Sequence, residues 1–320
     1  MTLHKKFAVA LVAMAFVAAF VVAPALAEEK FEEKFEKTVP LSKTGKLTLG
    51  NISGQIEILT SKEAQVKIEA LKVSKAGSLD KAKENAAQVT IEVTPGADLV
   101  AVETKYPKRS GGFWGGDSIN VSVDYKIWVP DQAAIEISSV SGDVTVDPVG
   151  GAAKVKCVSG NITLGGAASA DIDLVSGDLK MANIAGDTFI KAVSGDIEVK
   201  GIKGSVEVEA VSGDIDLLDV AGAQNVSAKS VSGNITYLGT IKPGSRFEIK
   251  SHSGDVILTI PADSSFDLEA STFSGDIDSA FSITTSGRIS PREVNGTVGK
   301  GGATLILKTF SGNVDLKKMK

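Results

Sequence analysis

The chain has 320 residues, a formal net charge of −5, one cysteine and two histidines. A mildly acidic balance gives no electrostatic footprint for nucleic acid, and a single cysteine allows no internal disulfide. The length suffices for a sizeable core held by apolar burial and backbone hydrogen bonding alone.

Residues 1–27 read as a secretory signal peptide. His4, Lys5 and Lys6 form a positive start, Phe7 to Val22 is an unbroken apolar stretch, and Pro24-Ala25-Leu26-Ala27 supplies an A-x-A cleavage site. An uncleaved anchor is the alternative, since the apolar run nearly reaches membrane-spanning length. The small residues and Pro24 favour cleavage, which removes two lysines and no acids and leaves a more acidic chain. No later segment is apolar enough to span a membrane. Export to the periplasm, the cell surface or the exterior follows.

Residues 28–130 form a β-rich capping region. Phe35–Leu41, Lys46–Asn51, Gln55–Leu59, Gln65–Val73, Val89–Val93, Leu99–Thr104 and Ser118–Val129 read as strands between turns. Ser78–Ala87 predicts the one helix, with Ser78 as its cap and Asp80 in its first turn. Ser53-Gly54-Gln55 resembles an early copy of the turn that dominates the rest of the chain. Lys108 to Gly116 is a Gly-rich loop carrying Phe113 and Trp114 beside Lys108-Arg109. Aromatics there either engage a glycan, a partner or a lipid surface, or fold back onto the cap.

From Ser141 onward a Ser-Gly-Asp or Ser-Gly-Asn turn returns at nearly constant spacing, at Ser141, Ser159, Ser176, Ser194, Ser212, Ser232, Ser253, Ser274 and Ser311. Asn295-Gly296-Thr297 reads as a degenerate copy. After each turn comes an aliphatic row (Val144, Ile162, Leu179, Ile197, Ile215, Ile235, Val256, Ile277, Val314), then a mostly polar residue, then a second row (Val146, Leu164, Met181, Val199, Leu217, Tyr237, Leu258, Leu316). This period-2 alternation marks strands with one buried face. A second punctuation midway, as at Gly165-Gly166 and Ala221-Gly222, splits each repeat into two strands. Self-similarity at a fixed period means stacked coils. Residues 131–320 are therefore expected to form a parallel β-solenoid (β-helix) of about ten coils, right-handed by the crossover rule. Lys317, Lys318 and Lys320 are expected to guard the last exposed edge.

Val121 to Pro130, followed by stacked Val-Ser-Gly-Asp turns, resembles the bacterial "putative adhesin" β-strand-repeat family, first catalogued as a domain of unknown function. Val298 to Ala303 and Leu305 to Asn313 resemble that family's ending. The resemblance covers nearly the whole exported chain. It implies an exported β-helical protein and carries over no catalytic residue.

The remaining constellations are few. His252 stands in a row otherwise held by valine or phenylalanine, and no second imidazole survives signal cleavage, so a transition-metal site or a Ser-His-Asp triad has no support. Cys157 shares its row with Leu174, Ala192 and Ala210 and reads as a small buried filler. Asp178, Asp196 and Asp214 would stack about 4.8 Å apart, where each pair repels by about 0.9 kcal/mol in water. They form either a divalent-cation ladder or hydrated turn residues, with Asn161 and Asn234 relieving the repulsion. Asp214/Asp216 and Asp276/Asp278 have the carboxylate pairing that glycoside hydrolysis uses, yet they recur as regular repeat positions do. The sequence thus points to a non-enzymatic envelope or secreted protein without a cofactor, an adhesin-like scaffold or binding module. Its expected partner is a cell-envelope component, a glycan or a protein. Phe113, Trp114, Asp178, Asp196 and Asp214 are the candidate interaction surface. A polysaccharide-active β-helix enzyme and an envelope-stress accessory protein are the alternatives.

Overall fold

The computed structural model describes residues 28–107, 119–285 and 290–319. Each repeat gives one strand to each of two long sheets, of 13 and 14 strands. Val206–Ser212 lies in the larger sheet, Gly213 and Asp214 turn the chain, and Ile215–Val220 lies in the smaller. Neighbouring coils run parallel and in register. Val208 pairs with Ile190 and Ala228, and Leu217 with Val199 and Tyr237. Strand alternation then sends Val206, Val208, Ala210, Ile215 and Leu217 inward, and the left-handed Asp219, with φ of 52°, brings Val220 in after them; all six are buried. Each aliphatic side chain so placed contributes roughly 1.5–3 kcal/mol. The two sheets enclose a thin core running the length of the stack.

The turn glycine is obligatory for two reasons visible at Gly195. Its φ of +122° is one that side-chain-bearing residues rarely adopt. A Cβ there would also lie 1.9 Å from the carbonyl oxygen of Gly177, one coil away. The coils can approach at this edge only because both residues lack a side chain.

The strands expected near the N-terminus are present. Glu29–Pro40, Gln65–Ala76 and Val121–Pro130 form an antiparallel end to one sheet, and Thr90–Thr94 with Leu99–Lys105 ends the other. The helix Leu79–Ala87 follows Ser78, whose hydroxyl accepts the Lys81 N–H at 3.3 Å, and it buries Ala82 and Ala86. The stack itself begins inside the 28–130 segment. Lys46–Ser53 and Ile56–Ser61 form a full coil directly on the Ala134–Ser141 coil, pairing Leu47 with Ile135, Ser53 with Ser141 and Ile56 with Val144. Ser53-Gly54 is therefore a true member of the turn series.

The far end departs from chain order. Ala303–Ser311 lies between Arg246–Ser253 and Phe266–Ser274, and Val314–Met319 between Val256–Pro261 and Ile277–Ser279. The last coil in sequence is thus inserted before the preceding one. The strand bearing Lys317 and Lys318 is therefore not the last of its sheet, yet Ile277–Ser279 covers it only as far as Leu316, so the two lysines pair with Thr259 and Ile260 on one side alone; Lys320 lies outside the described residues. Asn295-Gly296-Thr297 is no coil turn either. It belongs to Glu293–Val298, which runs antiparallel to Phe266–Ser274 and to Thr284–Thr285 and closes this end. Insertion is possible because the coils share one turn and, apart from Ser279 in the second row of the outermost coil, the same aliphatic rows, so one coil fits against another.

Candidate interaction face

The Ser-Gly-Asx edge carries three parallel rows. The first is the acidic row itself. Asp178 Oδ1 accepts the Asp196 backbone N–H at 3.0 Å, and Asp196 Oδ1 accepts that of Asp214 at 3.0 Å. The series extends outward without a break: the Asn161 N–H donates to Asp143 Oδ1 at 2.8 Å, the Asp178 N–H to Asn161 Oδ1 at 2.9 Å, and the Asn234 N–H to Asp214 Oδ1 at 2.7 Å. It continues through Asp255, Asn313 and Asp276 in the spatial order of the coils. One oxygen of each side chain is thus occupied by the next coil's backbone, a task Asp and Asn perform equally. This explains why the two alternate freely in the row. Asp178, Asp196 and Asp214 are brought together on adjacent coils, as their spacing predicts, but as turn caps with one oxygen each left facing water.

The second row precedes the turn serine. Ile52, Val140, Val158, Val175, Val193, Val211, Val231, His252, Phe310 and Phe273 follow one another in spatial order, because their serine neighbours pair rung by rung. The valines are 46–51% exposed, and Phe273 reaches 65%. At the far end the rings stack, His252 on Phe310 at 5.0 Å and Phe310 on Phe273 at 4.7 Å, nearly parallel. His252 is therefore a member of an aromatic stack. At the opposite end a hollow of about 570 Å³ runs beside Ile52, Val140, Val158 and Val175.

The third row lies on the larger sheet, two residues before the second. It contains Lys156, Asp173, Lys191, Glu209, Lys229, Lys250 and Lys308. Ion pairs lace it to its neighbours: Lys156 to Asp173 at 2.9 Å, Lys229 to Glu209 at 3.3 Å, Lys250 to Glu248 at 2.5 Å. Lys250 and Arg246 hold the Glu248 carboxyl below the usual carboxylate range.

Nothing in these rows resembles an activated nucleophile. Cys157 is buried, with Sγ 3.8 Å from the Gly142 carbonyl oxygen, and burial pushes its thiol up. It is the small filler its row suggests. Phe113 and Trp114 lie outside the described residues. The apolar row is the feature that sequence reasoning passed over. Its signal was the pair of consecutive apolar residues before several of the serines, Cys157-Val158, Leu174-Val175, Ala192-Val193 and Ala210-Val211, of which strand alternation lets only one point inward.

No helix among the described residues is long and apolar enough to cross a membrane. No curated protein matches the chain in sequence. Solved structures with a similar course share little sequence. One is a "putative adhesin" from Bacteroides fragilis, 11% identical over 89% of this chain and 97% of that one, with a TM-score of 0.37. Another is a "putative lipid binding protein" from Parabacteroides distasonis, 12% identical over 90% and 97%, with a TM-score of 0.39. A third, a "putative cell adhesion protein" from Clostridium sporogenes, is 12% identical over 90% and 100%, with a TM-score of 0.23. Residues 44–317 match the Toastrack DUF4097 family, and the chain belongs to that family.

Proposed function

We propose that this is a non-enzymatic exported protein of the cell envelope or exterior, a right-handed solenoid serving as an adhesin-like scaffold whose working surface is the apolar row of the Ser-Gly-Asx edge. One observation carries the reading: the row from Ile52 to Phe273 stays apolar and half-exposed along the whole stack, broken only by His252. The fold does not require this. His252 occupies the same position without disturbing the register, and the residues across the turn are polar. A contiguous apolar patch of this extent is rare on a protein that works alone. The regular carboxylates beside it are spent on capping the next coil.

Co-sedimentation of the purified protein with isolated cell envelopes tests this. Saturable binding is expected, with a loss of at least tenfold in affinity when Val193→Lys and Val211→Lys are combined. A panel of polysaccharides should yield no new reducing ends and no unsaturated products. Turnover that disappears on a single carboxylate substitution would make the protein an enzyme and this reading wrong.

A further inference from the structure

Resting on that reading, we infer that the partner covering the apolar row is a second copy of this chain, laid antiparallel along it. The row has a ridge at one end and a recess at the other. His252, Phe310 and Phe273 form the ridge, and the hollow beside Ile52, Val140, Val158 and Val175 is the recess. A two-fold axis crossing the row between Val193 and Val211 brings each ridge over the other copy's recess. Phe273 then faces the second copy's Ile52, Phe310 faces Val140, and Val193 faces Val211. A parallel arrangement would set ring against ring at one end and valine against valine over two hollows at the other, leaving a gap.

Spacing and charge favour the same arrangement. Coils lie about 4.8 Å apart, so nine steps give a row about 43 Å long, and row spacings of about 6.7 Å on either side widen it to roughly 15 Å. The strip, flanking polar rows included, covers on the order of 650 Å² per copy, near the lower range of specific interfaces. A partner must match a 4.8 Å repeat over this whole length for its apolar groups to seat between the valines, and a second copy does so by construction. In the same register Asp173 of one copy lies across from Lys229 of the other, and Lys191 across from Glu209. The acidic row sets Asp178 opposite Asn234, Asn161 opposite Asp255 and Asp143 opposite Asn313. Lys156 meets Lys250, but each already holds a carboxylate of its own chain, Asp173 and Glu248. Asp196 opposite Asp214 is the one repulsive contact left. A closed two-fold contact also covers both apolar rows at once and leaves none free to propagate; envelope binding then depends on Val193 and Val211 through the dimer, whose two copies bind together more tightly than one.

Sedimentation equilibrium on the purified protein, followed by disulfide trapping, decides the matter. The parent chain should be a dimer at micromolar concentrations, and combining Val193→Lys with Val211→Lys should make it monomeric while circular dichroism stays unchanged. In a Cys157→Ala background, Val175→Cys together with Val231→Cys should cross-link two chains on oxidation. Val175→Cys alone should not, because the antiparallel register separates the two copies of that residue by about 14 Å, three coil spacings, beyond disulfide reach. A parent chain that stays monomeric, a dimer indifferent to the two lysines, or cross-linking through Val175→Cys alone would each overturn the inference. A monomer whose envelope binding still depends on Val193 and Val211 would overturn it and leave the scaffold reading intact. A dimer that binds no envelope would do the reverse.

Discussion

Asp196 and Asp214 stand one coil apart, and the side chain of the first caps the backbone of the second: Asp196 Oδ1 accepts the Asp214 N–H at 3.0 Å. The carboxylates that looked like a ladder of repelling charges are thereby part of what fixes the turn. Only one oxygen of each is needed for this, and an amide oxygen serves as well, as Asn161 and Asn234 demonstrate.

Converting Asp178, Asp196 and Asp214 together to Asn should therefore keep or slightly raise stability, since it retains the caps and removes repulsion of about 0.9 kcal/mol per neighbouring pair in water. Asp196→Ala should cost about 1 kcal/mol by loss of one hydrogen bond. Urea denaturation measures both. A large loss of stability in the triple Asn variant, together with a divalent cation that stabilises the parent and not the variant, would show that the ladder holds an ion instead.

The repeat made much of the fold legible. Period-2 alternation placed Ile197, Ile215 and Ile235 in the core, Ser78 marked the helix start, and Ser53-Gly54 announced an early coil. Coil order was not legible, for a physical reason. Ser311-Gly312-Asn313 carries the same turn, and Val314 and Leu316 the same rows, as every other coil, so the local pattern fits any place in the stack. Asn295-Gly296 matched the turn in composition alone; Gly296 lies within a strand, paired with Leu268. The apolar row was written in the sequence too, but a valine before a turn reads as ordinary strand preference until its exposure is known.

Coil insertion has a consequence for local stability. Val314 and Leu316 lie on a strand flanked on both sides, whereas Ile277–Ser279 is the last strand of its sheet. Amide hydrogen exchange should be slower at Val314 and Leu316 than at Ile277 and Ser279, because interior strands open only with larger units of the fold. Faster exchange in residues 314–316 would mean that the coils stack in chain order.

Tyr106, Tyr125 and Tyr237 are the three tyrosines of the chain. Burial pushes Tyr106 and Tyr125 up to about 12, with the Thr104 hydroxyl at 2.7 Å partly offsetting this for Tyr125. Tyr237 is raised by burial as well. A phenol with a raised folded-state value favours the neutral form in the native protein. Its contribution is thus complete below about pH 10, the unfolded value, and is lost as pH climbs from about 10 through about 12. For Tyr125 this is on the order of 2–3 kcal/mol. Ultraviolet titration of the native chain should show no tyrosine ionising near pH 10, and all three should ionise there in strong denaturant. A native tyrosine titrating at the ordinary value would mean that its site is open to water.

An apolar row that serves association and does not support the fold can be altered without unfolding the chain. The direct measurement pairs urea denaturation with sedimentation equilibrium on one variant, Val193→Lys with Val211→Lys, set beside the parent. Half-exposed residues outside the core should change monomer stability by no more than about 0.5 kcal/mol each, while association is lost. A loss of several kcal/mol in stability with association unchanged would show that the row belongs to the core and contradict the account.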